Sequence, residues 1–173
     1  RMEEARTVAD RVVDAVIEDD ALRLEIAAMF EEAGLPEVAA FHCHHLARRA
    51  LAAENHEDAK AYARRTIELK PRHAGARETL IAALLAQRDN SQAMQEYEQL
   101  FELYDEASEW DGALRTLQAM IDLVPSRPEP RRKLITLYRK MHREEPMIDQ
   151  LRRLVEIHVN AAALSSGPPN PSS

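Results

Sequence analysis

The sequence resembles itself at an offset of 54 residues, and this self-similarity limits the fold more than any other feature. The segment AAENHEDAKAYARRTIELKPRHAGAR then lies over EASEWDGALRTLQAMIDLVPSRPEPR, so that Ala59 meets Ala113 and Pro71 meets Pro125. The same offset brings three arginines into one column: Arg23, Arg77 and Arg131. A chain with such a period is expected to stack similar units rather than close around one centre.

Each repeated unit is predicted to consist of three helices. Glycine is rare, with four residues in 173, and apolar residues recur at spacings of three and four. Breaks such as Gly34-Leu35-Pro36, Pro71 and Pro125 separate the helical stretches. The predicted units are 20–73, 74–127 and a partial 128–164, with a closing helix at 3–17 before them. The fold class is therefore predicted as all-α, a right-handed solenoid of about nine antiparallel helices with a three-helix superperiod.

Several stretches resemble tetratricopeptide repeats. HEDAKAYARRTIELKP has that family's second-helix signature, with small Ala59, aromatic Tyr62 and the closing Pro71. The segment AMQEYEQLFELYDEASEWDGALRTLQAMIDLVP is similar to a whole repeat. The resemblance implies a scaffold that binds a peptide or a partner protein in a groove lined by successive helices. The family repeats in 34-residue helix pairs, so the 54-residue superperiod departs from its pattern, and the pattern does not identify the concave residues.

Composition and charge indicate the cellular location of the chain and the class of partner that it can bind. The longest apolar run is well short of a membrane helix, and residues 1–20 lack the pattern of a signal peptide. The single Cys43 fits a reducing compartment, so a cytoplasmic location is expected. A net charge of −7 disfavours nucleic acid as a partner. The end of the chain, SSGPPNPSS at 165–173, is predicted to be a flexible tail.

Charge is distributed unevenly along the chain. Residues 89–111 hold eight Asp and Glu and no Lys or Arg, whereas residues 127–153 hold nine basic residues. The acidic stretch is predicted to be a solvated face that could meet a basic partner.

The run His42-Cys43-His44-His45 suggests a metal site at first reading. A helix turns about 100° per residue, so four consecutive side chains cannot converge on one ion, although His42 and His45 share a face. A zinc site needs three or four ligands, and no further ligand pair lies at a telling spacing. The histidines are therefore predicted to lie on a solvated or partner-facing helix surface, Cys43 is predicted to lie in the core, and no metal or cofactor is expected.

The expected function is non-catalytic binding of a protein or peptide, because the sequence has no recognisable catalytic or phosphate-binding motif. A regulatory arm of a larger enzyme or transcription regulator, a metal-responsive module around His42 and His45, and self-association through exposed helix faces remain alternatives. Family members that grip a C-terminal carboxylate use Lys, Asn and Arg, whereas the matching positions here carry His, Glu and Gln. The predicted partner-binding residues are Phe41, His44, Arg48, Gln95, Glu98, Glu102, Asp105, Arg132, Arg139 and Lys140.

Overall fold

The computed structural model describes residues 19–165, which are helical apart from short turns. The eight described helices are α1 (Asp20–Glu32), α2 (Pro36–Ala52), α3 (His56–Leu69), α4 (Ala74–Ala86), α5 (Asn90–Glu106), α6 (Trp110–Leu123), α7 (Pro128–Lys140) and α8 (Glu144–Ser165). No strand occurs among these residues, and the all-α prediction is confirmed. The closing helix predicted at 3–17 and the tail beyond Ser165 lie outside the described residues. The helix α8 runs to Ser165, and the predicted flexible tail stays a prediction.

Helix boundaries repeat with the 54-residue period. The helices α1, α4 and α7 each have 13 residues and are called first-type here. The helices α2, α5 and α8 are second-type, and α2 and α5 each have 17 residues. The helices α3 and α6 are third-type and each have 14 residues. Each type starts at positions related by the offset, which confirms the three-helix superperiod.

The turns repeat as well. A residue in the left-handed region, with φ between 53° and 72°, lies two positions after the end of each described first-type or second-type helix that another described helix follows. After α4, for example, the Arg88 N–H donates to the Leu85 carbonyl and the Asp89 N–H to the Leu84 carbonyl, both at 2.9 Å. These bonds satisfy carbonyl groups at the helix end. The left-handed residues are Gly34, Glu54, Arg88, Ser108 and His142. Third-type helices end differently, at a residue with a φ of −140° or −138° that is followed by Pro71 or Pro125.

The chain divides into two compact units between Glu96 and Tyr97, inside α5. In the first unit α1 packs on α2, α2 on α3, α3 on α4, and α2 also contacts α4 directly. Small residues on α3 allow this close approach, since Ala59 and Ala63 are completely buried. Leucine and isoleucine fill the space around them, and the buried set includes Val38, Leu46, Leu80, Ile81 and Leu84.

In the second unit α6 packs on α7 and α7 on α8. Gly112 on α6 lets the Tyr104 ring approach the helix backbone, because a Cβ at Gly112 would lie 2.7 Å from the ring. The core of this unit includes Leu100, Ala113, Leu117, Met120, Leu134 and Leu137. Ala59 and Ala113, which the offset aligns, are both fully buried in their own units.

A repeated polar contact connects first-type and second-type helices. The arginines of the aligned column each reach a polar side chain 19 positions further along: Arg23 Nη1 lies 3.5 Å from His42 Nδ1, Arg77 donates to Glu96 at 2.6 Å, and Arg131 donates to Gln150 at 3.0 Å. Arg23 and Arg131 are buried. A buried guanidinium is stable only when it is hydrogen-bonded, so this contact fixes how the two helix types meet in each copy.

Candidate partner-binding site

An open groove of the first unit lies between α2 and α4, where these helices come into direct contact beside α3. Its volume is about 510 Å³, and it is open to solvent. The α2 side is lined by His44, Arg48, Leu51 and Ala52, and the α4 side is lined by Gly75, Glu78 and Thr79. They combine two opposite charges, an imidazole and short apolar surfaces in one place. We call this site the α2–α4 groove.

His44 forms one wall of the groove and is held by the first turn of α4. Its ring lies 4.5 Å from the ring of His73, centroid to centroid. The His73 Nδ1 in turn accepts a hydrogen bond from the Ala76 N–H at 3.0 Å and so caps α4. Gly75 leaves room for the imidazole, since a Cβ there would lie 3.3 Å from His44 Nε2. The His44 side chain is therefore placed by contacts on the facing helix as well as by its own.

The environment of His44 keeps its ring neutral. Burial is the main cause that lowers the pKa of His44 to about 4, and the nearby His73, Arg48 and His45 lower it further. Burial also lowers the pKa of His73. The His44 Nδ1 is buried and has no hydrogen-bond partner among the described residues. At neutral pH this wall of the groove is a polar aromatic surface without charge.

Charge enters the groove at its rim. Arg48 on α2 and Glu78 on α4 are both exposed, and they carry opposite signs. Thr79 uses its hydroxyl group to donate to the Gly75 carbonyl at 2.9 Å, so the methyl group is its remaining contact surface. Leu51 and Ala52 extend the apolar part. Such a surface can contact an extended peptide through apolar side chains and fix its register through charged ones.

The second unit has a smaller groove at the aligned place, between α5 and α7. Its volume is about 260 Å³, and its lining residues are Phe101, Asp105, Arg132, Lys133, Thr136, Leu137 and Lys140. Lys133 Nζ lies 4.8 Å from the centre of the Phe101 ring. Lys140 donates to both carboxylate oxygens of Asp105 at 2.8 Å. These contacts take up charges that a partner would otherwise meet.

The predicted binding residues separate into three groups. His44 and Arg48 line the α2–α4 groove, while Asp105, Arg132 and Lys140 line the groove of the second unit. Five predicted residues line neither groove. Four of them are exposed, namely Phe41, Gln95, Glu102 and Arg139, and the fifth is the ion-paired Glu98.

Part of the acidic stretch is neutralised within the chain. Glu98 forms an ion pair with Arg127 at 3.0 Å in the second unit, where Asp105 also pairs with Lys140. Their residual charge is thus smaller than the sequence suggests.

The interpretation of the histidine run needs one correction. His42 is fully buried, stacked on Phe30 at 5.8 Å between ring centres and next to the Arg23 guanidinium, so its placement on a solvated or partner-facing surface was wrong. Cys43 is buried as predicted, and burial raises the pKa of its thiol. No group of three or more His, Cys, Asp or Glu within residues 19–165 is placed to hold a metal ion. A cationic guanidinium beside His42 also disfavours a metal ion at that ring.

Sequence reasoning missed the α4 wall of the groove. Gly75, Glu78 and Thr79 carry no recognisable motif, and the direct contact of α2 with α4 did not follow from a succession of antiparallel helices. The available signal was the glycine at the start of α4, since a glycine inside a helix often marks a close approach of another group.

Comparisons with known proteins give remote structural similarities. No protein-family model and no curated protein matches the chain. One similar solved structure is MamA 41-end from Desulfovibrio magneticus RS-1. The match has 14% sequence identity and a TM-score of 0.38, and it covers 83% of this chain and 97% of that chain. A second MamA structure matches at 15% identity over 88% of this chain and 86% of its own, with a TM-score of 0.37. A third matches at 13% identity over 87% of this chain and 98% of its own, with a TM-score of 0.39. At these values the similarity does not decide the fold, which rests on the helices described above.

In the described part of the chain, no helix combines the length and the apolar character that crossing a membrane requires.

Proposed function

We propose that this chain is a non-catalytic binding protein and that the α2–α4 groove holds a short segment of a partner protein. The observation that carries the proposal is the open volume of about 510 Å³ at a place where two helices of the first unit lie side by side. A groove between packed helices offers a surface of fixed shape to an extended or helical peptide.

The chemistry of the groove suggests what kind of segment fits. Arg48 at the rim would pair with a carboxylate of the partner. Leu51 and Ala52 offer contact for a small apolar side chain, and His44 offers a neutral ring. A segment with an acidic residue next to a small apolar residue fits these groups.

The proposal is tested by selecting peptides from a displayed random library on the intact chain and measuring their affinity by calorimetry. Ala52→Trp would fill the groove and weaken the recovered peptides by tenfold or more. Ala53→Trp is the matched control, because Ala53 is exposed but lies outside the groove. Equal loss in both variants, or no loss in either, would count against this site.

Charge reversal tests the orientation of the peptide. Arg48→Glu should weaken peptides with an acidic residue, and Arg48→Gln, which removes the charge without reversing it, should weaken them less. If the recovered peptides carry no consistent charge pattern, the assigned chemistry is wrong even when the groove is the binding site.

A second surface is proposed for a basic partner, on the acidic stretch 89–111. Its support is the charge run together with the exposed Glu102, although Glu98 and Asp105 are paired within the chain. Changing Glu98, Glu102 and Asp105 together to Lys should abolish the binding of basic peptides and leave ligands of the α2–α4 groove unaffected. Unchanged binding of basic peptides would remove this surface.

A further inference from the structure

The groove of the second unit, called the α5–α7 groove here, has a basic lining. Its charged residues are three cations and one carboxylate, namely Arg132, Lys133, Lys140 and Asp105. Three positive charges and one negative charge leave a net charge of +2. Lys140 already donates to both carboxylate oxygens of Asp105 at 2.8 Å, so this pair is neutral as a whole. The excess positive charge therefore belongs to Arg132 and Lys133.

The Arg132 guanidinium is positioned by a histidine. His158 Nδ1 donates to the Leu154 carbonyl at 2.8 Å, because a carbonyl oxygen can only accept. In the neutral ring Nε2 is then an acceptor, and Arg132 Nη2 donates to it at 3.2 Å. Among the described residues, Arg132 has no carboxylate partner. Its charge is thus held in place without being neutralised.

Lys133 also keeps its charge. Its Nζ lies 4.8 Å from the centre of the Phe101 ring, and no carboxylate of the described residues pairs with it. An aromatic ring attracts a cation through its quadrupole but has no net charge to cancel it. Phe101 and Leu137 are 9% and 1% exposed, so the floor of the groove offers little apolar contact surface. A ligand of this groove is therefore bound mainly through charge.

The acidic residues of the neighbouring helices do not cancel the charge of the groove. On α5, Glu98 pairs with Arg127 at 3.0 Å and Asp105 pairs with Lys140. Glu102 is exposed and lies outside the lining, and α8 contributes no lining residue at all. The α7 helix itself holds five basic residues and one acidic residue. The local field at the α5–α7 groove is therefore positive, although the whole chain has a net charge of −7.

We propose that the α5–α7 groove binds an acidic segment of a partner protein, whose side-chain carboxylates contact Arg132 and Lys133. The volume of about 260 Å³ is below the range of about 300–1,000 Å³ that is common for small-molecule pockets, so the groove holds a few side chains of an extended segment. The aligned positions in the α2–α4 groove are Glu78 and Thr79, so the two grooves select different segments. The inference does not depend on the function proposed for the α2–α4 groove.

Fluorescence anisotropy with a short peptide of alternating Glu and Ala tests the proposal on the intact chain. The peptide is labelled at its N-terminus and amidated at its C-terminus, so that its only carboxylates are those of its side chains. It should bind, and its affinity should fall with added salt because exposed charges are screened. The same peptide with Gln in place of Glu should bind at least about tenfold more weakly.

Two double variants locate the binding site. Arg132→Gln with Lys133→Gln removes both cations and should raise the dissociation constant of the Glu peptide at least about tenfold. Arg139→Gln with Arg143→Gln is the matched control, because it removes the same charge at exposed positions outside the groove. The control should change the dissociation constant by no more than about twofold, since screening limits the effect of more distant charges. Circular dichroism checks that both variants keep the wild-type helicity.

A gain of affinity gives a test that a folding defect cannot imitate. Asp105→Asn frees Lys140 for the ligand and should strengthen binding of the Glu peptide severalfold. The proposal is overturned if the Glu peptide does not bind, if the Gln peptide binds equally well, if both double variants lose affinity equally, or if Asp105→Asn binds no more tightly than wild type. Displacement of the peptide by a lower concentration of single-stranded oligonucleotide than of unlabelled Glu peptide would also overturn it, because the groove would then prefer phosphate groups.

Discussion

Acidification should destabilise the first unit through His44. The folded state lowers the pKa of this histidine from 6.5 to about 4, mainly through burial and then through His73, Arg48 and His45. A lowered pKa means that the folded state favours the neutral ring. The resulting stabilisation is complete above pH 6.5 and is lost as the pH falls from 6.5 through about 4, because the unfolded chain takes up the proton first.

The size of the effect follows from the gap between the two pKa values. A gap from 6.5 to about 4 corresponds to at most about 3.4 kcal/mol once the pH is below both values. At pH 5 the His44 ring is almost fully protonated in the unfolded state and mostly neutral in the folded state. The free energy of unfolding is therefore about 2 kcal/mol lower than at neutral pH. The ring is partly exposed, so solvent screening reduces the expected loss at pH 5 to about 1–2 kcal/mol.

Urea unfolding followed by circular dichroism at pH 7.5 and pH 5 measures this loss. Wild type should lose about 1–2 kcal/mol more than His44→Gln between the two values, since glutamine does not titrate. His158→Gln is the matched control, because His158 is exposed and lies in the other unit, and it should behave like wild type. Equal pH dependence of wild type and His44→Gln would refute the reasoning.

Three further substitutions test the packing and the turns, each by the change in the midpoint of urea unfolding. Arg88→Gly should stabilise the chain by about 0.5–1 kcal/mol, because glycine adopts a left-handed φ without strain, and Gly34→Ala should destabilise it by about 1 kcal/mol. Stabilisation by both changes would contradict the role given to the left-handed residue. Gly112→Ala should cost about 1–3 kcal/mol, since its Cβ would lie 2.7 Å from the Tyr104 ring, and a neutral result would mean that the ring moves aside freely. Leu84→Ala should cost about 2–5 kcal/mol by leaving a cavity, and a loss below 1 kcal/mol would place Leu84 outside the core.

The sequence predicted the helices and their period because both follow from local chemistry. Apolar spacing, turn residues and prolines act within a few positions of the chain, so the three-helix unit could be found by comparing the chain with itself. The buried Ala59 and Ala113 were predictable in the same way, since small residues at aligned positions indicate close helix contacts. The right-handed solenoid and the division into units 20–73, 74–127 and 128–164 stay predictions.

The site could be predicted only in part, because it depends on contacts between helices that are not adjacent in sequence. His44 and Arg48 were singled out from α2 alone, and their partners on α4 became visible only in the packed unit. The burial of His42 was missed for the same reason, since Arg23 and Phe30, which surround it, belong to another helix. Charge runs overstated the acidic surface because pairs such as Asp105 with Lys140 form across helices.

The two grooves show how one repeated backbone can present different surfaces. The offset aligns Leu51 with Asp105 and Thr79 with Lys133. The charged Asp105 and Lys133 line the groove of about 260 Å³, and the uncharged Leu51 and Thr79 line the groove of about 510 Å³. The aligned helices have the same lengths, and the side chains that line the two grooves differ. Under the proposed function, a few side-chain differences on a scaffold with repeated helix lengths would decide which groove binds a partner.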